Sequence, residues 1–505
     1  MSYSVFRRKS IESLDIEGRH DHEKGCTDLK KVLGVRDLTF MGVAAVVGAG
    51  IFSTIGEAAY NGGPGISLLF IITAVTCGFS ALCYAEFASR VPTSGSAYTY
   101  AYVTFGEIVA WVIGWALILE YAIGNIVLAI SWSSYFNNLL VYIFNIHLPD
   151  WMLVDYATAN QAYQEAVTAL QGANLLDPVK LSSYQFVVKA FENAPRIGSM
   201  PIFFNLPAFI IIALVTWLAF VGIKESKKTA NLMVIFKLGV ILFVIGAGAF
   251  FVDTNNWMPF MPNGFTGVLK GVSAVFFAYI GFDAISTMAE ESKNPQRDMP
   301  RSMIYTLLIC TGLYILIALV LTGMEHYSHF YGVSDPLSFV FKNRAPWIEH
   351  IVSFSAVVAT TSVLLVFQIG QPRIWMSMSR DGLLPKKFET IHKKYKTPGF
   401  STIITGLIVG ASALFLESNL VTDLTSIGTL FAFVLVSGGV LMLPRIKKQP
   451  GQFNLPYING QYLIPAIVTL IIYLFWSRLI NSLSHLGDKN YQEELFLVFV
   501  IISII

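Results

Sequence analysis

Charge is scarce in this sequence of 505 residues: Asp, Glu, Lys and Arg make up 13% of it, whereas 54% of the residues are hydrophobic. An ordinary soluble domain carries roughly 25% charged residues, so that class is excluded. The net charge of +2 offers no basic face for nucleic acid. We therefore expect lipid to surround most of the chain, and we expect no nucleic-acid partner.

Reactive side chains are also few. Of the four cysteines, Cys77, Cys83 and Cys310 lie in apolar stretches and Cys26 lies in the polar amino-terminal tail, so no external disulfide pair is expected. No Cys/His, Ser/His or carboxylate pair stands at catalytic or metal spacing. We expect no enzymatic activity, no catalytic residue, no metal site and no cofactor. The first 36 residues lack the apolar core of a cleaved signal peptide.

What the sequence does contain is a series of about twelve apolar segments, most of them near the roughly 20 residues that span a bilayer. They cover residues 37–59, 66–89, 107–132, 203–222, 230–252, 266–290, 302–323, 347–376, 399–416, 424–443, 461–480 and 493–505. Lys and Arg concentrate in the amino-terminal tail and between Arg373 and Lys396, and cytoplasmic loops hold the excess of these residues. We predict an all-α, multi-pass protein of the inner (cytoplasmic) membrane with a cytoplasmic amino terminus.

Two of these segments contain weak points. In the first segment Gly48, Ala49 and Gly50 follow one another, and glycine costs a helix interior about 1 kcal/mol relative to alanine. The sixth segment has a similar weak point at Gly281 and Asp283. Unwound backbone is tolerated in a membrane where it lines a cavity, and paired weak points in two halves of a chain indicate a transporter binding site. Close packing of small residues between helices is the alternative for either segment alone.

Helix breaks at these two places would expose main-chain groups of both polarities. The amides that would suit a carboxylate are those of Gly48, Ala49 and Gly50. The carbonyls that would suit an ammonium group are those of Val46, Phe277, Ala278 and Ile280. Together these groups predict a receptor for the main chain of an α-amino acid.

Charged residues inside apolar segments are functional candidates. Burial disfavours a charged ammonium group, so Lys237 is predicted to exchange a proton or to stand where a sodium ion might otherwise bind. Snorkelling to the inner surface, about 10 Å away, is the alternative. Glu120 could line the pocket, neutralise a cation or act as a protonated structural donor, and Asp283 is expected to cap freed amides.

Charges near the inner ends of segments are expected to form a cytoplasmic gate or a solvated face. They are Glu86, Arg90, Glu290, Glu291, Lys293 and Arg297.

Several stretches resemble a known family. They are Gly48–Ala49–Gly50–Ile51–Phe52, Tyr84 to Pro92 with Gly95 to Tyr98, and Gly281–Phe282–Asp283 with Glu290–Glu291 and Asn294 to Arg297. In combination, over nearly the whole chain, they are similar to the amino acid, polyamine and organocation (APC) transporter superfamily, and most like its bacterial cationic amino acid transporter branch. The resemblance implies a LeuT-like fold of two inverted five-helix repeats, with discontinuous helices 1 and 6 and rocking-type alternating access. It also implies that Lys237 matches a fifth-helix lysine that stands at a sodium site in sodium-independent members and is linked to proton coupling.

The expected organisation follows from this resemblance. It consists of a cytoplasmic tail (1–36), a first repeat (37–252) with a long outside loop (141–202), a second repeat (253–447) and helices 11 and 12 (448–505). Within the loop, residues 156–170 are rich in Ala and Gln and are expected to form a surface helix.

The predicted function is secondary active transport of L-amino acids, proton-coupled and sodium-independent. An amino acid exchanger and a transporter-like amino acid sensor are the alternatives. The expected partners are an L-amino acid, a proton and the lipid bilayer, and a small membrane protein partner of unknown identity is left open. The branch moves neutral or cationic amino acids, so the side chain of the substrate stays open, and Glu120 alone does not decide it. Ala49 stands where related proteins often carry a hydroxyl residue, so one contact to the carboxylate is expected to be missing.

Overall fold

The structure is a computed structural model that describes residues 7–9, 29–48, 50–171, 178–198, 200–331, 333, 336–342, 344–416, 418–443, 453, 469 and 472–473. The chain divides into two units, Met1–Phe453 and Asn454–Ile505. Nearly all the described residues belong to the first unit. Ala49 and almost all of the predicted segments 461–480 and 493–505 lie outside the described residues.

Helices account for nearly all the regular structure of the described residues. In chain order they are α1 (Val35–Val46), α2 (Ile55–Gly62), α3 (Ile66–Arg90), α4 (Ala97–Thr104), α5 (Glu107–Phe144), α6 (Tyr156–Gln171), α7 (Pro178–Glu192), α8 (Leu206–Val221), α9 (Ile223–Ala249), α10 (Gly264–Lys270), α11 (Val272–Phe277), α12 (Pro295–Met324), α13 (Pro336–Phe339), α14 (Pro346–Arg380), α15 (Gly399–Phe415) and α16 (Ser418–Met442). One two-stranded antiparallel hairpin pairs β1 (Arg196–Ile197) with β2 (Met200–Pro201). The prediction of an all-α protein is confirmed.

Five helical stretches in the described part of the chain are long and apolar enough to cross a bilayer. They are Ile55–Arg90, Glu107–Val141, Ser226–Ala249, Pro295–Met324 and Pro346–Arg380. A sixth span results if Gly264–Lys270 and Ala274–Glu291, which meet at 42°, are taken as one broken span. Shorter apolar helices cover Leu206–Val221, Gly399–Phe415 and Gly428–Met442. Because each long stretch exceeds the roughly 20 residues that span a bilayer, the fold is that of a multi-pass membrane protein.

Segment boundaries differ most from the predicted ones in two places. The first predicted segment divides at Val46, and the helix that begins at Ile55 runs on to Arg90 through the second segment. The third segment, expected to end at residue 132, continues to Phe144. Trp132 explains the extension, because its indole N–H donates to Oγ1 of Thr361 on α14 at 2.8 Å. Packing against another helix therefore supports α5 beyond its most apolar run.

The predicted surface helix at 156–170 is present as α6, and a second helix that the sequence did not indicate, α7, packs against it. Stacked rings hold this outer segment together: Tyr163 and Phe191 have centroids 4.4 Å apart, and Phe191 and Phe203 have centroids 5.3 Å apart. The segment thus has a small apolar core of its own.

The long helices surround α1. It packs against α9, α12 and α14, while α14 also packs against α5, α8 and α15. The end of α1 is therefore enclosed by helices that are distant in sequence, which is how residues from several helices converge on the first weak point.

Candidate functional site

The first break occurs at the predicted glycines. After α1 ends at Val46, the N–H of Val47 donates to the carbonyl of Val43 at 3.0 Å, and the Gly48 carbonyl accepts from the N–H of Ile51 at 3.1 Å within a π-helical turn, Gly50–Thr54. A Cβ on Gly48 would lie 2.5 Å from Cγ2 of Val363 on α14. Glycine therefore lets the unwound chain lie directly against α14.

The second break separates α11 from a 3₁₀ helix, Phe282–Glu291. Between them Gly281 has φ of +115°, which glycine adopts readily and other residues do not. A Cβ there would lie 3.1 Å from the backbone of Ala45 in α1. The Asp283 carboxylate faces the backbone amides of Gly281 and Ala284, which is the position expected of a cap for this break.

The two breaks contact each other directly. A Cβ on Gly50 would lie 2.4 Å from Cα of Ala278. Tyr314 on α12 reaches both breaks, since its hydroxyl lies 2.9 Å from the carbonyl oxygen of Val46 and 3.0 Å from that of Ala278. A hydroxyl has one proton and each carbonyl has two lone pairs, so both carbonyls keep the capacity to accept a further hydrogen bond.

The remaining residues of the predicted receptor are close to these contacts. The Phe277 carbonyl accepts from the N–H of Ile280 at 3.2 Å, and Ile280 is buried. The structure thus brings Val46, Gly48 and Gly50 together with the second break, whereas Ala49 is outside the described residues. Sequence reasoning missed Tyr314, because a tyrosine in an apolar helix carries no distinguishing pattern.

Lys237 on α9 is completely buried and reaches the end of α1. Its ammonium group donates to the carbonyl of Ala44 at 3.1 Å, the carbonyl of Val47 at 2.6 Å and Oγ of Ser362 at 2.8 Å. All three N–H groups are used, and every acceptor is an uncharged oxygen atom. A snorkelling lysine would carry its ammonium group to the aqueous surface, so this geometry rules out the snorkelling alternative.

Glu120 on α5 belongs to a buried polar cluster beside the second break. Oγ1 of Thr429 on α16 donates to its Oε1, whereas Oε2 has no partner among the described residues. In the same part of the structure the Tyr84 hydroxyl is also buried without a partner among the described residues, whereas the Tyr121 hydroxyl faces the Asp283 carboxylate. Buried polar groups are normally hydrogen-bonded, so the cluster indicates space for water or a polar ligand.

Aromatic rings form an apolar wall around this cluster. Tyr84 lies 6.0 Å from Phe282 and 5.8 Å from Phe433, measured between ring centroids, and Tyr121 lies 5.2 Å from Phe367. Aromatic rings therefore pack beside the main-chain polar groups of the two breaks.

Ion pairs cluster at the ends of the helices predicted to be cytoplasmic. They are Glu86–Arg90 at 2.5 Å, Glu291–Arg373 at 2.6 Å, Glu290–Arg380 at 2.9 Å and Lys9–Asp381 at 2.6 Å. The sequence analysis grouped Glu290 and Glu291 with other charges near the inner ends without assigning pairs, and in the structure both acids bind arginines of α14. Nothing in the local sequence indicated that α14 would lie beside the 3₁₀ helix.

A helical membrane protein with two interrupted segments in contact, and a buried ammonium group at one of them, has the construction of a secondary transporter. The sequence model of the family described as amino acid permease matches residues 33–505, so the chain belongs to this family.

Individual relatives agree with that assignment. The branched-chain amino acid permease BcaP of Bacillus subtilis (strain 168) is 40% identical over 491 residues, which cover 96% of this chain and 95% of that protein. The methylthioribose transporter of the same organism is 38% identical over 473 residues, 92% of each chain. Cationic amino acid transporter 2, vacuolar, of Arabidopsis thaliana is 35% identical over 457 residues, 88% of this chain and 64% of that one. The resemblance to the APC superfamily is confirmed, and the protein is a membrane amino acid transporter of that superfamily.

Proposed function

We propose that this protein carries L-amino acids across the cytoplasmic membrane by secondary active transport that is coupled to protons and independent of sodium. Membership of the amino acid permease family supports an amino acid as the transported substrate. The observation that carries the coupling proposal is the Lys237 ammonium group, enclosed by Ala44, Val47 and Ser362 at the end of the first half-helix.

The ligand set around Lys237 supports sodium independence. Carbonyl oxygens freed by unwound helices coordinate the coupling ion in transporters of this kind. Here an ammonium group occupies such a set of oxygens, so a sodium ion has no place among them. None of its described hydrogen-bond partners is a carboxylate. An ammonium group buried without a carboxylate among its described partners is poorly stabilised, which favours loss of its proton while the site is closed and uptake of a proton when the site opens to water.

The first break also places the proposed proton site next to the proposed substrate site. Lys237 donates hydrogen bonds to the carbonyls of Ala44 and Val47. Gly48, Ala49 and Gly50, whose amides are the proposed carboxylate site, come next in the sequence. In the proposal these amides bind the substrate carboxylate, and the carbonyls of Val46, Phe277, Ala278 and Ile280 bind its ammonium group. A change of charge on Lys237 would shift the end of α1 and with it the carboxylate site.

We propose the remaining architecture on the same grounds. Twelve spans would form inverted repeats at 37–252 and 253–447 followed by 448–505, with the amino terminus in the cytoplasm. Breaks in the first and sixth segments support this organisation, because they occupy equivalent positions in the two halves. The Glu291–Arg373 pair links the 3₁₀ helix of the second break to α14, so its separation would open the inner side in alternating access.

The proposal is tested with purified protein in liposomes. Labelled leucine, alanine or arginine should accumulate when a pH gradient is imposed, and a sodium gradient alone should drive no uptake. Uptake driven only by sodium would overturn the coupling, and efflux that requires external amino acid would identify an exchanger. Competition by unlabelled amino acids would then show which substrate side chains are accepted. This is open because the names of the relatives include both branched-chain and cationic amino acids.

The Lys237→Met variant isolates the coupling step. It keeps an unbranched side chain of similar length but has no proton to release, so uptake should lose its dependence on pH. Lys270→Met, at an exposed lysine at the end of α10, is the matched control and should behave as the wild type. If the pH dependence of uptake is unchanged in Lys237→Met, Lys237 has a structural role and does not carry the proton coupling.

A further inference from the structure

An apolar groove runs between α3 and α12 on the outer surface of the described helices. It has a volume of about 460 Å³, within the roughly 300–1,000 Å³ typical of ligand sites. Ala74, Gly78 and Phe79 line it on α3, and Leu308 and Thr311 line it on α12. Both walls belong to stretches long and apolar enough to span a bilayer, so the groove opens to hydrocarbon.

The groove exists because residue 78 is glycine. A Cβ at Gly78 would meet no atom within 4 Å. The side chains beside it are large and extend outward, with 68% of Phe79 and 66% of Leu308 exposed.

The floor of the groove offers no free polar group among the described lining residues. Thr311 is the polar residue of the lining, and its hydroxyl lies 3.2 Å from the Tyr279 hydroxyl, to which it can donate because the Tyr279 proton is directed to the carbonyl of Phe70. Tyr279 lies in the second break and also contacts the carbonyl of Phe70 at 3.1 Å. The groove therefore presents an apolar surface to the outside. The hydrogen bond between Thr311 and Tyr279 connects it to the second break.

We propose that this groove is a binding site for one acyl chain of a membrane phospholipid, which packs against α12 beside Thr311 and supports the second break from the lipid side. The groove continues the lipid-facing surface of both helices, which carries Ile72, Val75 and Leu316 with 46%, 55% and 47% of their surface exposed. A flexible chain fits between such side chains and buries apolar surface on all sides.

A helix of another protein fits the groove less well. Helices in membranes associate through small residues that let two backbones approach, and a helix with its side chains is about 10–12 Å across. Small residues line the groove on α3 at Ala74, Gly78 and Ala81, whereas on α12 Thr311 stands between the larger Leu308 and Ile315, which keep a second backbone at a distance. An acyl chain is the slimmer occupant.

The proposal is tested with a variant whose added side chain fills the groove. Gly78→Leu places a side chain in the open space, and leucine is a better helix former than glycine, so the variant should fold. Gly312→Leu is the matched control, because Gly312 is exposed on α12, has no atom within 4 Å of its Cβ position and does not line the groove.

The probe is a phosphatidylcholine that carries a photoactivatable diazirine in its acyl chain, added to the purified full-length protein in nanodiscs. After illumination, mass spectrometry should find labelled residues at 71–82 and 304–315 in the wild type and in Gly312→Leu. Gly78→Leu should reduce labelling of these peptides at least about fivefold. Equal labelling in Gly78→Leu, or a dimer in place of bound lipid in native mass spectra of the wild type, would overturn the proposal. Both readouts are independent of amino acid transport.

Discussion

The two helix breaks are stabilised in different ways, although both depend on glycine. At the first break the freed carbonyls of Ala44 and Val47 are bound by Lys237, which lies 193 and 190 residues away along the chain. At the second break the charged group lies within the same turn, where Asp283 faces the amides of Gly281 and Ala284, and the carbonyl oxygen of Ala278 lies 3.0 Å from the Tyr314 hydroxyl of α12. The first break is therefore sensitive to the charge on another helix, whereas the second has its charged group in its own turn.

The largest effect is expected where the two breaks touch. Gly50→Ala adds a Cβ that would lie 2.4 Å from Cα of Ala278, so the breaks must separate. Overpacking of this kind costs about 1–3 kcal/mol, and a cost of about 2.7 kcal/mol corresponds to roughly a 100-fold loss of uptake. Initial rates of labelled leucine uptake in liposomes measure the loss.

Gly239→Ala is the control for that variant, because Gly239 on α9 has no atom within 4 Å of its Cβ position. It should keep wild-type uptake. Normal uptake by Gly50→Ala would show that close contact between the two breaks is not required for transport.

A smaller effect is expected at the second break. Gly281→Ala forces alanine into φ of +115°, and left-handed backbone costs such a residue about 1–2 kcal/mol. Thermal unfolding followed by intrinsic fluorescence should show a lower midpoint, and uptake should fall about tenfold. Gly246→Ala on α9 has open space at its Cβ position and should lower neither quantity. An unchanged midpoint in Gly281→Ala would mean that the bend is not set by this glycine.

Tyr314→Phe tests the link between the breaks. It removes the hydroxyl shared by Val46 and Ala278, and a hydrogen bond of this kind contributes about 0.5–1.5 kcal/mol. Since these carbonyls are the proposed ammonium site, KM should rise about fivefold with a smaller change in maximal rate. Tyr305→Phe, at a tyrosine of α12 with 48% of its surface exposed, should leave KM unchanged. An equal KM for both variants would remove Tyr314 from the site.

The smallest effect is expected for Ser362→Ala, which removes one of the three acceptors of Lys237. Uptake should fall about threefold, because a lost hydrogen bond costs about 0.5–1.5 kcal/mol, but its pH dependence should remain since Lys237 is still present. Ser355→Ala is the control, because Ser355 is buried on the same helix without a partner among the described residues. Loss of pH dependence in Ser362→Ala would show that the serine, and not Lys237 alone, carries the coupling.

Both breaks could be predicted because their signals are local. Gly48, Gly50 and Gly281 interrupt apolar runs, and glycine weakens a helix whatever surrounds it. Lys237 was predicted for a similar reason, since a charge inside an apolar segment requires a partner. The sequence could not identify the partner as the end of α1, because that contact depends on how helices pack.

Residues whose roles depend on packing were not predicted. Tyr314 and Ser362 lie in ordinary apolar runs, and their contacts with Val46 and Lys237 exist only because α12 and α14 enclose α1. The extension of α5 to Phe144 has the same origin in the contact between Trp132 and Thr361. Periodicity and composition describe one segment at a time, so they contain no information on these contacts.

The contact between Gly50 and Ala278 has a consequence for leakage. Because Gly50 places no side chain against Ala278, the two interrupted spans are in close contact, and neither can tilt far without moving the other. A displacement that widens the passage on one side of the membrane is then transmitted to the opposite side. Such a contact disfavours a continuous aqueous channel, so under the proposed coupling the proton gradient would not be dissipated.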